Sequence, residues 1–195
     1  MQQDAHPSQK HHHAVRFYGS DSSLFPTVAG FLSEGLIIGQ PAIVIATPRH
    51  RQAIDEHLAG RLIDCRTARR EGQLVMLDAE ETLELFMVGD DPHAALFETN
   101  VGRLIEQTVN GRPRTTVRAY GEMVDVLWKQ GRVQAAINLE ILWNKLAMKF
   151  DFALLCGYAM GSFYKQTQLL EDVMALHTHV IDTNVFPFPG SRRSA

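Results

Sequence analysis

The helix predicted between Arg132 and Phe150 carries a carboxylate in apolar surroundings. At 100° per residue its most polar side chains share one arc, and most of the remaining circumference is apolar. Glu140 and Asn144 lie in the middle of the apolar arc, four residues apart. Because an unpaired buried carboxylate is costly, we expect Glu140 to be paired, protonated or facing a cavity. Two interpretations stay open: a structural ion pair with Arg118 or a histidine, and a carboxylate that faces a ligand.

A second carboxylate, Glu122, stands just past the predicted strand Thr115–Tyr120, in the first turn of a helix. In one interpretation it stabilises the helix dipole from a solvated face that it shares with Asp125 and Lys129. In the other interpretation it is a binding carboxylate at the rim of a sheet.

Histidines and cysteines are candidate metal ligands, but their local spacing is unfavourable. His177 and His179 close the last predicted helix, yet no cysteine or carboxylate lies within local ligand spacing of them. There is no Cys-x-x-Cys and no His-Glu-x-x-His motif. We therefore predict no metal and no cofactor. Cys156 is expected to be an inert core thiol, with a sensing role as the alternative.

The turn after the first strand, Tyr18–Leu24, stands where a nucleoside-triphosphatase has its phosphate-binding loop. Such a loop needs several glycines and a lysine followed by serine or threonine. This turn has only Gly19 and no lysine, and Asp21 would repel phosphate. The chain also lacks the Gly-x-Ser-x-Gly elbow of serine hydrolases. We therefore predict a protein that is not an enzyme.

Five strand-like runs alternate with helical patterns along the chain. The runs are Ala14–Tyr18, Ala42–Ala46, Leu74–Leu77, Thr115–Tyr120 and Phe152–Tyr158. This alternation predicts an α/β fold, a three-layer, mostly parallel sheet with helices on both faces. Ligands of such sheets bind at the carboxyl ends of the strands. Position alone therefore puts these residues at the functional rim: Tyr18, Thr47, Asp78, Tyr120, Gly121, Glu122 and Tyr158.

Composition sets the class of protein. The chain has 195 residues, 45% of them hydrophobic, and a formal net charge of −3. These values predict one globular domain and argue against a nucleic-acid binder, which needs a basic face. We expect a leader at residues 1–12, a domain at 13–182 and a tail at 183–195. No apolar stretch is long enough to span a membrane, no secretory signal is visible, and two cysteines fit a reducing compartment, so a cytoplasmic location is expected.

Taken together, the motifs resemble the MEDS domain, the sensory domain of methanogen and methylotroph regulators that include the repressor DcmR. The resembling segments are His13–Tyr18, Gly35–Gly39, Ala46–His50, Arg118–Met123, Leu127–Trp128, Leu139–Glu140, Leu142–Asn144 and Cys156–Tyr158. The resemblance implies a RecA/KaiC-like core with a degraded phosphate loop. It also implies sensing of hydrocarbons or of methylated and halogenated derivatives. The site residues expected from these motifs are His13, Tyr18, His50, Arg118, Glu122, Glu140, Asn144, Cys156 and Tyr158.

The leading hypothesis is a non-catalytic sensory domain that binds a small, mostly apolar molecule near the strand ends. Because the chain ends shortly after the matching region, we expect a separate kinase or transcription regulator to detect its state. The alternatives are a residual nucleotide binder of RecA-like descent and a pure interaction module, such as a homodimer, with a vestigial pocket. We further expect Glu140, Glu122, Arg118, His13 and His50 to converge on one site, with His13 the weakest member.

Overall fold

The computed structural model of the chain describes residues 12–109, 111–112, 115–163 and 167–181. Of the predicted leader at 1–12, only His12 is described, and it begins the first strand. The predicted tail at 183–195 and the last residue of the predicted domain lie outside the described residues.

Six parallel strands form the central sheet. The strands of the described chain, in order, are β1 His12–Tyr18, β2 Ala42–Ala46, β3 Leu74–Asp78, β4 Met87–Val88, β5 Asp91–Pro92, β6 Val117–Gly121, β7 Phe152–Ala159 and β8 His179–Ile181. The sheet has the order β3-β2-β6-β7-β1-β8, and every neighbouring pair in it is parallel. Strands β4 and β5 form a separate antiparallel pair. The predicted parallel α/β sheet is therefore confirmed.

Helices cover both faces of the sheet, as the sequence predicts. One face packs against α1 Asp21–Ile37, α2 Pro48–Ala59 and α3 Cys65–Arg70. The opposite face packs against α4 Ala79–Glu84, α5 Ala94–Phe97, α6 Arg103–Val109, α7 Met123–Lys129, α8 Val133–Ala147 and α9 Thr167–Ala175. Strand β2 is buried at all five positions because both faces are covered. Within the described residues, no helix has the length and apolar character needed to cross a bilayer.

Some elements depart from the sequence prediction. Pro92 and the Asn110–Gly111 pair are typical start and end signals and predict one helix between them, whereas the structure has a π-helical turn over Glu98–Gly102 between α5 and α6. The last helix is predicted over about Phe163–His177; the structure describes α9 at Thr167–Ala175 and a 3-10 turn over Met160–Phe163. The sequence pattern does not predict α3, the β4–β5 pair or β8, which are all too short to show a period.

Candidate functional site

The predicted site residues separate into two clusters on opposite faces of the sheet. Side chains alternate between faces along a strand, so Tyr120 of β6 packs with the α1–α2 core whereas Cys156 of β7 packs with the α8 core. The edge cluster, at the carboxyl ends of the strands, comprises Tyr18, His50, Tyr120, Glu122 and Asp125. The buried cluster, under α8, comprises His13, Glu140, Asn144, Cys156, Tyr158 and His177. The expectation of one convergent site is therefore wrong.

Glu122 is the centre of the edge cluster. Its carboxylate accepts hydrogen bonds from the Thr47 backbone N–H at 2.5 Å, from Nδ1 of His50 at 2.6 Å and from the Tyr120 hydroxyl at 3.1 Å. Gly157 makes the last bond possible, since a Cβ there would lie 2.7 Å from the Tyr120 oxygen. Glu122 is only 2% exposed, so its interpretation as a solvated residue is wrong.

His50 joins the edge cluster to the start of α1. Its Nε2 lies 3.6 Å from the Asp21 carboxylate, and the Phe25 ring meets it edge-on at 5.1 Å. The hydrogen bond to Glu122 raises the pKa of His50, against the opposing effect of burial. A protonated His50 therefore balances the charge of Glu122 in this part of the molecule.

Asp125 is the second buried carboxylate of the edge cluster, so the interpretation that placed it on a solvated face is wrong. It accepts hydrogen bonds from the Tyr18 hydroxyl at 3.2 Å and from the Ala159 N–H at 3.0 Å. Lys129, one helical turn later, pairs with it at 2.7 Å. Burial and the charge of Asp125 raise the pKa of Tyr18 well above its usual range, so the phenol stays a hydrogen-bond donor.

An open cleft of about 330 Å³ lies over the edge cluster. Its lining is mostly polar and charged: Thr47, Arg49, His50, Glu80, Glu122, Asp125, Val126, Lys129 and Gln130. This position at the carboxyl ends of β2 and β6 is where the topology predicts a ligand.

The buried cluster surrounds the Glu140 carboxylate. Its Oε1 accepts a hydrogen bond from the Tyr158 hydroxyl at 2.9 Å and lies 3.4 Å from Nε2 of His177. Its Oε2 lies 3.2 Å from Nε2 of His13 and 3.5 Å from the Cys156 sulfur. The side chains of Glu140, His13 and His177 are 0% exposed.

The two histidines keep Glu140 ionised. Burial alone would raise its pKa, but the charge of His177 and the close contacts with both histidines outweigh burial, so the pKa of Glu140 is lowered. Burial lowers the pKa of His177 as well, and Glu140 more than compensates, so the net shift of His177 is upward. Of the two partners proposed for Glu140, histidine is therefore correct and Arg118 is wrong.

Both histidine rings are held with Nε2 pointing into the cluster. The Asn144 amide donates to the Leu176 carbonyl at 2.9 Å, which leaves its oxygen 2.9 Å from Nδ1 of His13. Nδ1 of His177 lies 2.7 Å from the Val173 carbonyl. Since both partners are acceptors, both Nδ1 atoms carry the proton. One ligand atom each from His13, Glu140, Cys156 and His177 lies within 4.8 Å of the others, an arrangement able to hold a metal ion.

Arg118 belongs to neither cluster. It projects to the α1 face, where its Nε donates to Gln40 at 3.0 Å and its Nη1 donates to the Phe31 carbonyl at 3.0 Å. The guanidinium stacks over the Phe31 ring at 5.1 Å, and its stem crosses Gly35, where a Cβ would lie 2.8 Å from Arg118 Cγ. Arg118 therefore fastens the end of α1 to β6.

Three functional candidates were missed or misjudged from the sequence: Asp125, His177 and Asp21. A signal existed for Asp125, because it interrupts the apolar run from Met123 to Trp128. His177 stood out only as a local pair with His179, and its actual partners come from distant segments.

The fold and the two clusters define a parallel α/β domain with polar groups built into each face of the sheet. A sequence profile described as "MEDS: MEthanogen/methylotroph, DcmR Sensory domain" matches residues 12–178. The chain belongs to this family, as the motifs indicated, and is a sensory domain. No curated protein matches the chain significantly.

Proposed function

We propose that the chain is a non-catalytic sensory domain that binds a small polar, methylated compound in the cleft over the edge cluster. The observation that carries this proposal is the buried Glu122–His50 pair, at 2.6 Å, in the lining of a cleft at the strand ends. A lining of mostly polar and charged side chains favours a hydrogen-bonding ligand over the apolar one expected from the sequence.

Within that class, a methylated ammonium ion fits best. The Asp125 side chain is 3% exposed, whereas Lys129, its cationic partner, is 53% exposed. An exposed lysine contributes little to such a pair, so a ligand ammonium can take its place on the carboxylate. The Tyr18 hydroxyl, which donates to the same carboxylate, holds it in place at the cleft, and the side chain of Val126 in the cleft lining offers apolar contact for the methyl groups.

The residual nucleotide binder is the weaker proposal, although the relation to a RecA/KaiC-like core is compatible with the parallel sheet. In the turn after β1, the carboxylate of Asp21 lies 2.8 Å from Arg49, so this cation is already paired. A triphosphate would meet a carboxylate instead of a lysine.

A separate regulatory protein, a kinase or a transcription regulator, would detect the bound state. Ligand contact with His50 acts on the first turn of α2, whose outer surface is exposed. A coupling of about 1–3 kcal/mol between the ligand and this surface would suffice. Pairing with a second copy of the chain is the alternative, and analytical ultracentrifugation with and without ligand distinguishes the two.

The test is a titration of ¹⁵N-labelled protein with trimethylammonium chloride, methanol and dichloromethane, followed by amide chemical shifts. We expect saturable shifts with trimethylammonium, centred on residues 47–50 and 122–130, and their loss in Glu122→Gln. The matched control is Glu34→Gln, whose side chain is 71% exposed. Shifts centred elsewhere, or saturation by dichloromethane alone, would contradict the proposal.

A further inference from the structure

We propose that His13, Glu140, Cys156 and His177 form a binding site for one divalent cation of the zinc class. The four ligands come from four segments: the start of β1, the middle of α8, the middle of β7 and the residues after α9. The inference is independent of the ligand proposed for the cleft, because none of these four residues lines the cleft.

The distances between donor atoms match a tetrahedral site. Zinc lies about 2.0–2.2 Å from nitrogen or oxygen and about 2.3 Å from sulfur, so tetrahedral ligand atoms are roughly 3.3–3.8 Å apart. Nε2 of His13 lies 3.4 Å from the Cys156 sulfur and 3.2 Å from Glu140 Oε2. That oxygen lies 3.5 Å from the sulfur, and the other Glu140 oxygen lies 3.4 Å from Nε2 of His177. One ligand atom from each of the four residues lies within 4.8 Å of the others, so small side-chain shifts would bring all four onto one ion.

The orientation of the histidines is a second, independent observation. Nε2 of His177 is buried and forms no hydrogen bond, although it points at the cluster. On each ring the opposite nitrogen, Nδ1, faces an oxygen acceptor: Asn144 for His13 and the Val173 carbonyl for His177. Metal-ligating histidines are held in the same way, with Nδ1 on an acceptor and Nε2 directed at the ion. The Tyr158 hydroxyl orients the ligating carboxylate in the same way.

Charge balance selects the class of ion. Two neutral imidazoles, one carboxylate and one thiolate neutralise a dication in a site without solvent, and binding releases the proton of the Cys156 thiol and the Nε2 proton of a protonated His177. A donor set of two nitrogens, one sulfur and one oxygen suits zinc better than the hard cations magnesium and calcium. Since the cluster is closed to solvent, the ion has a structural role: it fastens the segment after α9 to β1.

The experiment measures metal directly on tag-free full-length protein. We expect about one zinc per chain by mass spectrometry after dialysis against metal-free buffer, with restoration by added zinc after chelation. Cobalt(II) in the same site should show thiolate charge-transfer absorption and tetrahedral d–d bands.

Matched variants locate the site. Cys156→Ser should lose the charge-transfer band and His177→Gln should lose stoichiometric zinc. The controls Cys65→Ser, a buried thiol on the opposite face, and His57→Gln, an exposed histidine on α2, should keep both. Asn144→Ala, which alters a positioning residue, should weaken zinc binding about 10–100-fold without changing the stoichiometry.

A stability measurement keeps the proposal testable if a ligand variant fails to fold. Zinc should raise the melting temperature of chelated wild-type protein and slow hydrogen exchange in residues 167–181. Absence of zinc from wild-type protein together with no cobalt–thiolate band on reconstitution would overturn the proposal. An equal zinc content in Cys156→Ser and His177→Gln would also overturn it, and the cluster would then be a buried network of ion pairs and hydrogen bonds.

Discussion

Replacing Glu122 by alanine should destabilise the protein by about 3–5 kcal/mol, the usual cost of removing one partner of a buried ion pair. The structure explains the size of this effect. The carboxylate accepts from the Thr47 N–H, from His50 and from the Tyr120 hydroxyl, and it is 2% exposed. Alanine would leave the buried Tyr120 hydroxyl without its acceptor, which alone costs about 1–3 kcal/mol.

The assay is urea denaturation at neutral pH, with the free energy of unfolding obtained by linear extrapolation to zero urea. The slope of this free energy against urea concentration should be the same in wild type and variant. Glu34→Ala serves as the control, because the Glu34 carboxylate also pairs with a cation, Arg118, but its side chain is 71% exposed. This substitution should lower the free energy of unfolding by no more than about 1 kcal/mol. A loss below about 1 kcal/mol for Glu122→Ala would refute the assignment of Glu122 as the centre of the edge cluster.

The pH dependence of the same pair has a defined sign. The pKa of His50 is raised, so the stability that its charge provides is complete below the unfolded pKa of about 6.5 and is lost as the pH rises through the higher folded value. The stability difference between wild type and His50→Gln should therefore shrink as the pH increases. The charge of Asp21 also raises the pKa of His50, as Glu122 does, whereas the charge of Lys129 lowers it. A difference that grows with pH would contradict the pairing.

Three further predictions follow from the placement of individual groups. Isothermal titration with ATP and magnesium should show no binding tighter than about 10 μM, equivalent to about −7 kcal/mol, since the turn after β1 lacks a lysine. The changes in unfolding free energy caused by Arg118→Ala and by Glu140→Gln should add within about 0.5 kcal/mol in the double variant, because the two residues share no contact partner. A larger coupling energy would contradict the separation of the two residues. Thiol reagents should label Cys65 and Cys156 slowly in native protein and rapidly in urea, because both are buried and burial raises the pKa of Cys65 to about 11.

The sequence was sufficient for the architecture because the signals are local. Strand β2 is a continuous apolar run and folds with the predicted bounds, and Pro48 starts α2 as its fixed φ favours. Helix α8 also appears where its apolar arc predicts it, with Glu140 buried. Strand β8 could not be predicted because its three residues acquire their conformation from pairing with β1.

The arrangement of the site could not be predicted because it depends on which face each side chain occupies. Glu122 and Glu140 both follow from local patterns as special carboxylates, yet the sheet separates them. The partners of Glu140 come from positions 13, 156 and 177, and no local ligand spacing connects them. Arg118 was one of the possible partners of Glu140 on grounds of charge, and the alternation of side chains along β6 places it on the opposite face.

The central claim is that the sensory ligand binds over the edge cluster, independently of the buried cluster. Isothermal titration of trimethylammonium chloride into wild type, Glu122→Gln and Cys156→Ser tests it most directly, with folding checked by circular dichroism. The account predicts equal affinity for wild type and Cys156→Ser, and at least about tenfold weaker binding, or about 1.4 kcal/mol, for Glu122→Gln. Absence of binding to wild type, or binding lost in Cys156→Ser and retained in Glu122→Gln, would contradict it.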